Sequence, residues 1–190
     1  MLGYVPNGQI IFLNGTSSSG KTSIAEELLV QLQTPFFYIP FDAINAMRSR
    51  SRTRELEPLA RDEVLERTRL GHLHAVAGMV REGNDVIVDQ VLSRRSWLLD
   101  AVRIFDGFDV LFVGIRCSLP ELERRERLRG DRDEGQAARQ FPNVHDHGKY
   151  DLECDTDDSS PAVCASRIVE ALKSDLRAST FSEIRNSAKS

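Results

Sequence analysis

Short apolar runs punctuate the chain, and longer stretches with apolar residues at helical spacing lie between them. Ile10–Leu13, Phe36–Ile39, Asp85–Asp89 and Val110–Arg116 are the runs. They are apolar on consecutive residues, so both faces of each segment are buried, the signature of a parallel strand. Tyr150–Asp155 alternates and reads as a last strand. After the first run, Ser23–Leu32 carries a helical pattern to about Gln33, where Thr34-Pro35 stops it. A helix starts at Ala43, and a long one covers Arg61–Arg81, with Val64, Leu65, Leu70, Leu73, Val76 and Val80 among its apolar positions. Further helices are expected over Arg95–Phe105, Leu119–Leu128, a short stretch after Gly135, and Ala162–Leu176 behind the Asp157–Pro161 cap. Strands alternating with helices predict an α/β fold, a three-layer parallel sheet with helices on both faces. One domain over 1–178 is expected, with a polar tail over 179–190 that frays. Arg48–Arg54 has no apolar face and reads as a solvated loop, one that could also help cover a ligand beside Asp42.

Between the first strand and its helix lies Gly15-Thr16-Ser17-Ser18-Ser19-Gly20-Lys21-Thr22. It meets the G-x-x-x-x-G-K-[ST] pattern at every required position, and in the strand–turn–helix setting that the pattern needs. Glycines let the backbone wrap an anion, and successive N–H groups with the positive helix end then face phosphates. Lys21 is expected to reach the β- and γ-phosphates of ATP, and the Thr22 hydroxyl to ligate Mg²⁺.

Composition narrows the class. The chain has 190 residues, 41% hydrophobic and 28% charged, with net charge -4. That is enough for one core and gives no electrostatic footprint for nucleic acid. Three cysteines, Cys117, Cys154 and Cys164, match no zinc spacing and fit reduced thiols in a cytoplasm. Neither a signal peptide nor a membrane span is expected.

Phosphoryl transfer needs charge neutralisation, a metal and a positioned hydroxyl. Asp89 ends an apolar strand as a metal-holding Walker-B acid does, or else caps the following helix. Asp42 follows the second strand, where it could take the proton of an incoming hydroxyl or cap the helix at Ala43. Arg125, Arg129 and Arg132 surround a glycine and could close over ATP as a lid, at about 125–145, or belong to a solvated helix. His145 and His147 lie beside Asp146 with no further ligand cluster, and loop histidines are the better reading. His72 and His74 do not share a helix face.

The residues resemble the chloramphenicol phosphotransferase family, small P-loop kinases that phosphorylate a hydroxyl of the antibiotic. The resemblance runs from Ile10 to Thr156. It is carried by Ile11–Gly15 leading through Ser17-Ser18 to Gly20-Lys21, by Phe41-Asp42, and by Val86–Asp89. It continues in Val113–Cys117, Arg129–Arg132, Gly135, Ala138, Gln140, Val144-His145, Tyr150-Asp151 and Asp155-Thr156. It implies a nucleoside-monophosphate-kinase-like fold, Asp42 as general base, and Arg129 and Arg132 as lid residues near the phosphates. The family pattern has paired acids after the third strand; here Gln90 follows Asp89. The segment after Met47 also departs from the family, with a basic run where an apolar acceptor-binding stretch is expected.

The leading expectation is therefore an ATP- and Mg²⁺-dependent kinase acting on a small hydroxyl compound, chloramphenicol or another antibiotic. A metabolic kinase for a nucleotide, sugar or shikimate-like acceptor is the second reading, since Arg48, Arg50, Arg52 and Arg54 suit an anion. A non-catalytic ATP-binding protein is the third. The oligomeric state is open.

Overall fold

A computed structural model describes residues 6–129, 135–174 and 179–188, with only the backbone of Arg129. Five strands, β1 (Gln9–Gly15), β2 (Phe36–Pro40), β3 (Asp85–Gln90), β4 (Asp109–Arg116) and β5 (Leu152–Asp155), form one sheet in the order β2-β3-β1-β4-β5. All four pairings are parallel. The helices are α1 (Lys21–Gln31), α2 (Phe41–Ala46), α3 (Arg50–Arg54), α4 (Pro58–Arg81), α5 (Arg95–Ile104), α6 (Leu119–Arg129), α7 (Gln136–Val144), α8 (Pro161–Leu172) and α9 (Thr180–Ser187).

The apolar runs behave as their pattern requires. Alternate residues of the central strands feed two separate cores. Ile10, Phe12, Val86, Val88 and Phe112 pack with α4, α5 and α9. Ile11, Leu13, Ile87, Leu111 and Val113 pack with α1 and α8. A strand buried on both faces cannot slip by one residue without trading its two cores, so the register is firmly set. That register brings the ends of β1, β2 and β3 to one edge, with Pro40 beside Asp89 and Asn14 beside Gln90. From β1 the chain runs one way to β2 and β3, then crosses to β4 and β5, so β1 sits at the switch point where such sheets bind ligands.

Two segments differ from expectation. Residues 180–187 form α9 rather than a fraying tail, because Phe181 is buried against Phe12 and Phe112, with ring centroids 5.9 and 4.9 Å away. Asp151 Oδ1 also accepts from Thr180 N at the helix start. Two apolar residues in a polar stretch, Phe181 and Ile184, dock it on the core. The basic run is not a loop throughout: Arg50–Arg54 is the short helix α3, exposed, with Arg52 paired to Glu55.

Candidate active site

The phosphate loop is shaped by steric necessity. A Cβ at Gly15 would lie 2.6 Å from the Ile115 carbonyl oxygen and 2.7 Å from Ser19 Oγ, so only glycine fits between β1 and β4. Ser18 and Gly20 hold left-handed φ of 65° and 92°, which turn the loop back towards α1. Helix α1 opens at Gly20 with no side-chain cap and no acid in its first turn. Its positive end is thus left to an incoming anion. Lys21 is nearly buried, and Nζ donates to the Gly15 and Thr16 carbonyls at 2.9 Å each. The loop holds its own lysine in the posture from which it can turn to phosphates.

A cavity of about 830 Å³ opens at this edge. The loop residues Ser18, Gly20, Lys21 and Thr22 line its middle. On the β4–β5 side stand Arg125, Gln136, Gln140 and Thr156, and on the β2–β3 side Asp42, Asp89, Gln90, Arg69 and Trp97. Asp42 and Asp89 therefore share one cavity with the phosphate loop. Neither is a helix cap: Pro40 caps α2, with Asp42 in its first turn, and Arg94 caps α5. Gly15, Thr16, Ser17 and Ser19 complete the loop behind the cavity wall. The Ser17 N–H is met by Gln140 Oε1 at 2.8 Å, a contact from α7.

Tyr38 is the residue that sequence reasoning missed here. Its hydroxyl donates to Asp89 Oδ2 at 2.7 Å, on the strand beside it. Burial, then the Asp89 charge, drive its own pKa upward, so it stays a neutral donor. Thr22 and Asp89, the two residues expected at a metal, line the same cavity, with the Tyr38 phenol holding Asp89 in place. A hydroxyl and a carboxylate are oxygen donors of the kind that Mg²⁺ takes, so the pair fits it. Among the described residues no cluster of three or more His, Cys, Asp or Glu could hold a metal, so nucleotide and water would complete the shell.

Of the expected lid arginines, Arg132 and the Arg129 side chain lie outside the described residues. Arg125 reaches the site instead. It donates to Thr156 Oγ1 at 3.1 Å and to the Thr156 carbonyl at 2.8 Å, while Glu121 Oε1 accepts from its Nε at 2.7 Å. Thr156 in turn bonds the Ser19 carbonyl at 3.1 Å. The buried Glu126 carboxylate caps α7, accepting from Gly135 N and Ala137 N at 2.8 and 3.0 Å. The run Arg48–Arg54 is not among the residues that line the cavity.

His145 and Tyr150 belong to a buried scaffold. Asn14, just before the loop, donates from Nδ2 to Tyr150 Oη (2.8 Å) and the Val144 carbonyl (3.0 Å), and accepts from Leu92 N at 2.9 Å. Tyr150 Oη lies 2.6 Å from His145 Nδ1. The phenol oxygen accepts from Asn14, and the imidazole tautomer sets which way the bond to His145 Nδ1 runs. Burial, Arg116 and His147 push His145 down to about 4. His72 is buried at 0% exposure with Nε2 2.8 Å from the Ile39 carbonyl, a core histidine beneath β2 rather than a ligand.

Residues 8–173 match the family described as chloramphenicol phosphotransferase-like protein. Two Mycobacterium tuberculosis proteins, from strains CDC 1551 and H37Rv, both named "Putative O-phosphotransferase", are 30% identical over 172 residues, covering 80% of this chain and 76% of theirs. The fold is similar to that of Mycobacterium tuberculosis APS kinase solved with AMPPNP and APS (TM-score 0.67, 19% identity, 89% of this chain and 99% of that one). It is also similar to a Deinococcus radiodurans tunicamycin resistance protein (TM-score 0.65, 18% identity, 87% and 96%). A gluconokinase from Sinorhizobium meliloti 1021 aligns with TM-score 0.58 at 21% identity, over 88% and 97%. The fold is thus the α/β fold of the P-loop kinases.

Proposed function

The chain belongs to the chloramphenicol phosphotransferase-like protein family, and from that premise we propose that it transfers the γ-phosphate of ATP to a hydroxyl of a small molecule, chloramphenicol or another antibiotic, with Asp42 as general base. The observation that carries this is the shared cavity: Asp42, at the carboxyl end of β2, faces the same space as Lys21 and Thr22. ATP lies along Gly15–Thr22, towards Arg125 and Thr156. The acceptor lies on the β2–β3 side. Asp42 takes the hydroxyl proton as the oxygen forms its bond to the γ-phosphorus and ADP leaves with the bridging oxygen's electrons. Lys21 leaves the loop carbonyls for the phosphates, and Arg129 and Arg132 approach them from the lid. Thr22, with Asp89 through water, would hold Mg²⁺, which supplies charge neutralisation at the phosphates.

An apolar, aromatic-bearing acceptor suits this side, where Phe41, Leu65 and Trp97 line the wall. The basic run that favoured an anionic metabolite is not among the lining residues, which supports the apolar acceptor over that reading.

The test is ADP release with chloramphenicol and a panel of hydroxyl antibiotics and metabolites, with product mass reporting added phosphate. Asp42→Asn is expected to lower turnover by about 10²–10⁴-fold, and Lys21→Ala to abolish it, both with unchanged thermal unfolding. Folded Asp42→Asn at near wild-type turnover removes the base assignment. Tight ATP binding with no turnover on any acceptor removes the kinase reading.

A further inference from the structure

Helix α7 is fixed at both ends, and between them Gln140 touches the phosphate loop. At the start of the helix, the buried Glu126 carboxylate of α6 accepts from Gly135 N and Ala137 N. At its end, Asn14 Nδ2 donates to the Val144 carbonyl at 3.0 Å. In the middle, Gln140 Oε1 accepts from Ser17 N at 2.8 Å. Gln140 is half-buried and lines the cavity together with Ser18, Lys21 and Thr22. A carboxamide has an accepting end and a donating end. With Oε1 committed to Ser17, the NH₂ group on the same carbon is held at the loop, and no described residue accepts its protons.

From this we infer that Gln140 binds the γ-phosphate: its oxygen holds the Ser17 N–H, and its Nε2 donates to an oxygen of the terminal phosphate of ATP. The inference rests on the proposed ATP site for what fills the loop. Which phosphate Gln140 meets follows from Lys21. A phosphate-loop lysine serves the β- and γ-phosphates, while the backbone N–H groups cradle the inner ones. Lys21 Nζ stands on the Gly15 and Thr16 carbonyls, so the outer end of the nucleotide belongs over the first half of the loop. Gln140 is bonded to the next residue, Ser17. The inner phosphates fall to the second half, at the uncapped start of α1. Arg129 and Arg132 must approach from the lid, whereas Gln140 stands on a helix that Glu126 and Asn14 already hold. It adds a hydrogen bond to a charged oxygen without adding charge of its own. When the γ-phosphate is transferred, Gln140 loses its partner, while Lys21 and the loop N–H groups keep the β-phosphate. Gln140 therefore favours ATP over ADP.

The test reads the affinities of the full chain for AMPPNP and for ADP, each with Mg²⁺, by calorimetry, with thermal unfolding alongside. Gln140→Glu keeps an oxygen for the Ser17 N–H and replaces the NH₂ group by a second carboxylate oxygen. Gln140→Met removes both ends at similar length. Each is expected to weaken AMPPNP binding about ten- to a hundredfold and ADP binding much less, so the ratio of the two affinities reports the γ-phosphate contact. A merely structural role at Ser17 would weaken both nucleotides alike in Gln140→Met and neither in Gln140→Glu. If Gln140→Met does not fold, Gln140→Glu decides. Because binding is read without acceptor or chemistry, a protein that shows these ratios but never transfers phosphate fails the kinase reading and not this one. An AMPPNP-to-ADP ratio unchanged in either folded variant, or no AMPPNP binding by the parent, overturns the inference. So does tighter AMPPNP binding by Gln140→Met, the result expected if the Gln140 oxygen only occupied an N–H that a phosphate needs.

Discussion

Asn14→Ala is the sharpest probe of how the phosphate loop is held. Asn14 is fully buried and joins three elements: the loop after β3 through Leu92 N, the end of α7 through the Val144 carbonyl, and the start of β5 through Tyr150 Oη. Alanine leaves the buried Leu92 N–H without its acceptor, a cost of about 1–3 kcal/mol. The two lost donor bonds add about 1 kcal/mol each, since Tyr150 keeps His145 and lies 3.4 Å from the Val144 carbonyl. The sum is about 3–5 kcal/mol, and for a domain of this size each kcal/mol lowers Tm by about 2–4 °C. Calorimetric unfolding should therefore show a fall of about 6–20 °C. Asn14→Asp keeps the acceptor for Leu92 but turns a carboxylate onto the Val144 carbonyl and must also destabilise. Tyr150→Phe supplies the partner arm: the double-mutant cycle should show coupling of about 0.5–3 kcal/mol. A Tm for Asn14→Ala within about 2 °C of the parent, or strict additivity with Tyr150→Phe, would refute the reasoning.

Two further outcomes follow from the site. Tyr38→Phe keeps the ring but removes the donor that holds Asp89 Oδ2, so the Mg²⁺ needed for half-maximal ADP release should rise about tenfold with little change in Tm; an unchanged Mg²⁺ dependence sinks that positioning role. His145 should make the fold acid-sensitive above the carboxylate range. Its pKa is lowered from 6.5 to about 4, so the unfolded chain binds the proton first and stability falls as pH drops from about 6.5 towards 4. The ceiling is about 3 kcal/mol, and partial exposure brings it to about 1–2 kcal/mol. His72 and His147, also lowered by burial, act in the same direction. Urea midpoints flat from pH 7 to 5, or a slope unaltered by His145→Gln, would count against it.

The sheet was legible because its signal is redundant. Each central strand is apolar on consecutive residues, and the glycine-rich loop and the acids at strand ends mark which edge binds ligand. Residues that act by pairing across elements were not legible. Tyr38 looks like one more apolar strand residue until its hydroxyl is seen on Asp89 Oδ2. Asn14 reads as the polar end of a strand. Arg69 did leave a trace: it falls four residues after Leu65 and four before Leu73, on the stripe that packs inward. Surrounded by Glu66, Arg67 and other charges, it looked like part of a solvated face. Phe181 was hidden in the same way by its polar neighbours.

The two sides of the cavity are built on different principles, and this decides what each can recognise. On the β4–β5 side several polar groups are held within the protein: Arg125 by Glu121 and Thr156, Glu126 by the start of α7, Gln140 by the loop itself. Such a wall fixes a geometry, which suits a donor whose phosphates are the same in every cycle. On the β2–β3 side Asn45 Oδ1, Arg69 Nη1 and Gln90 Oε1 are buried and unpartnered. Buried polar atoms without a partner in the protein mark this side as the less fully specified of the two. The chain's departure from its family at Gln90 falls on this second side, so on the proposed reading it bears on the acceptor rather than on the phosphate loop.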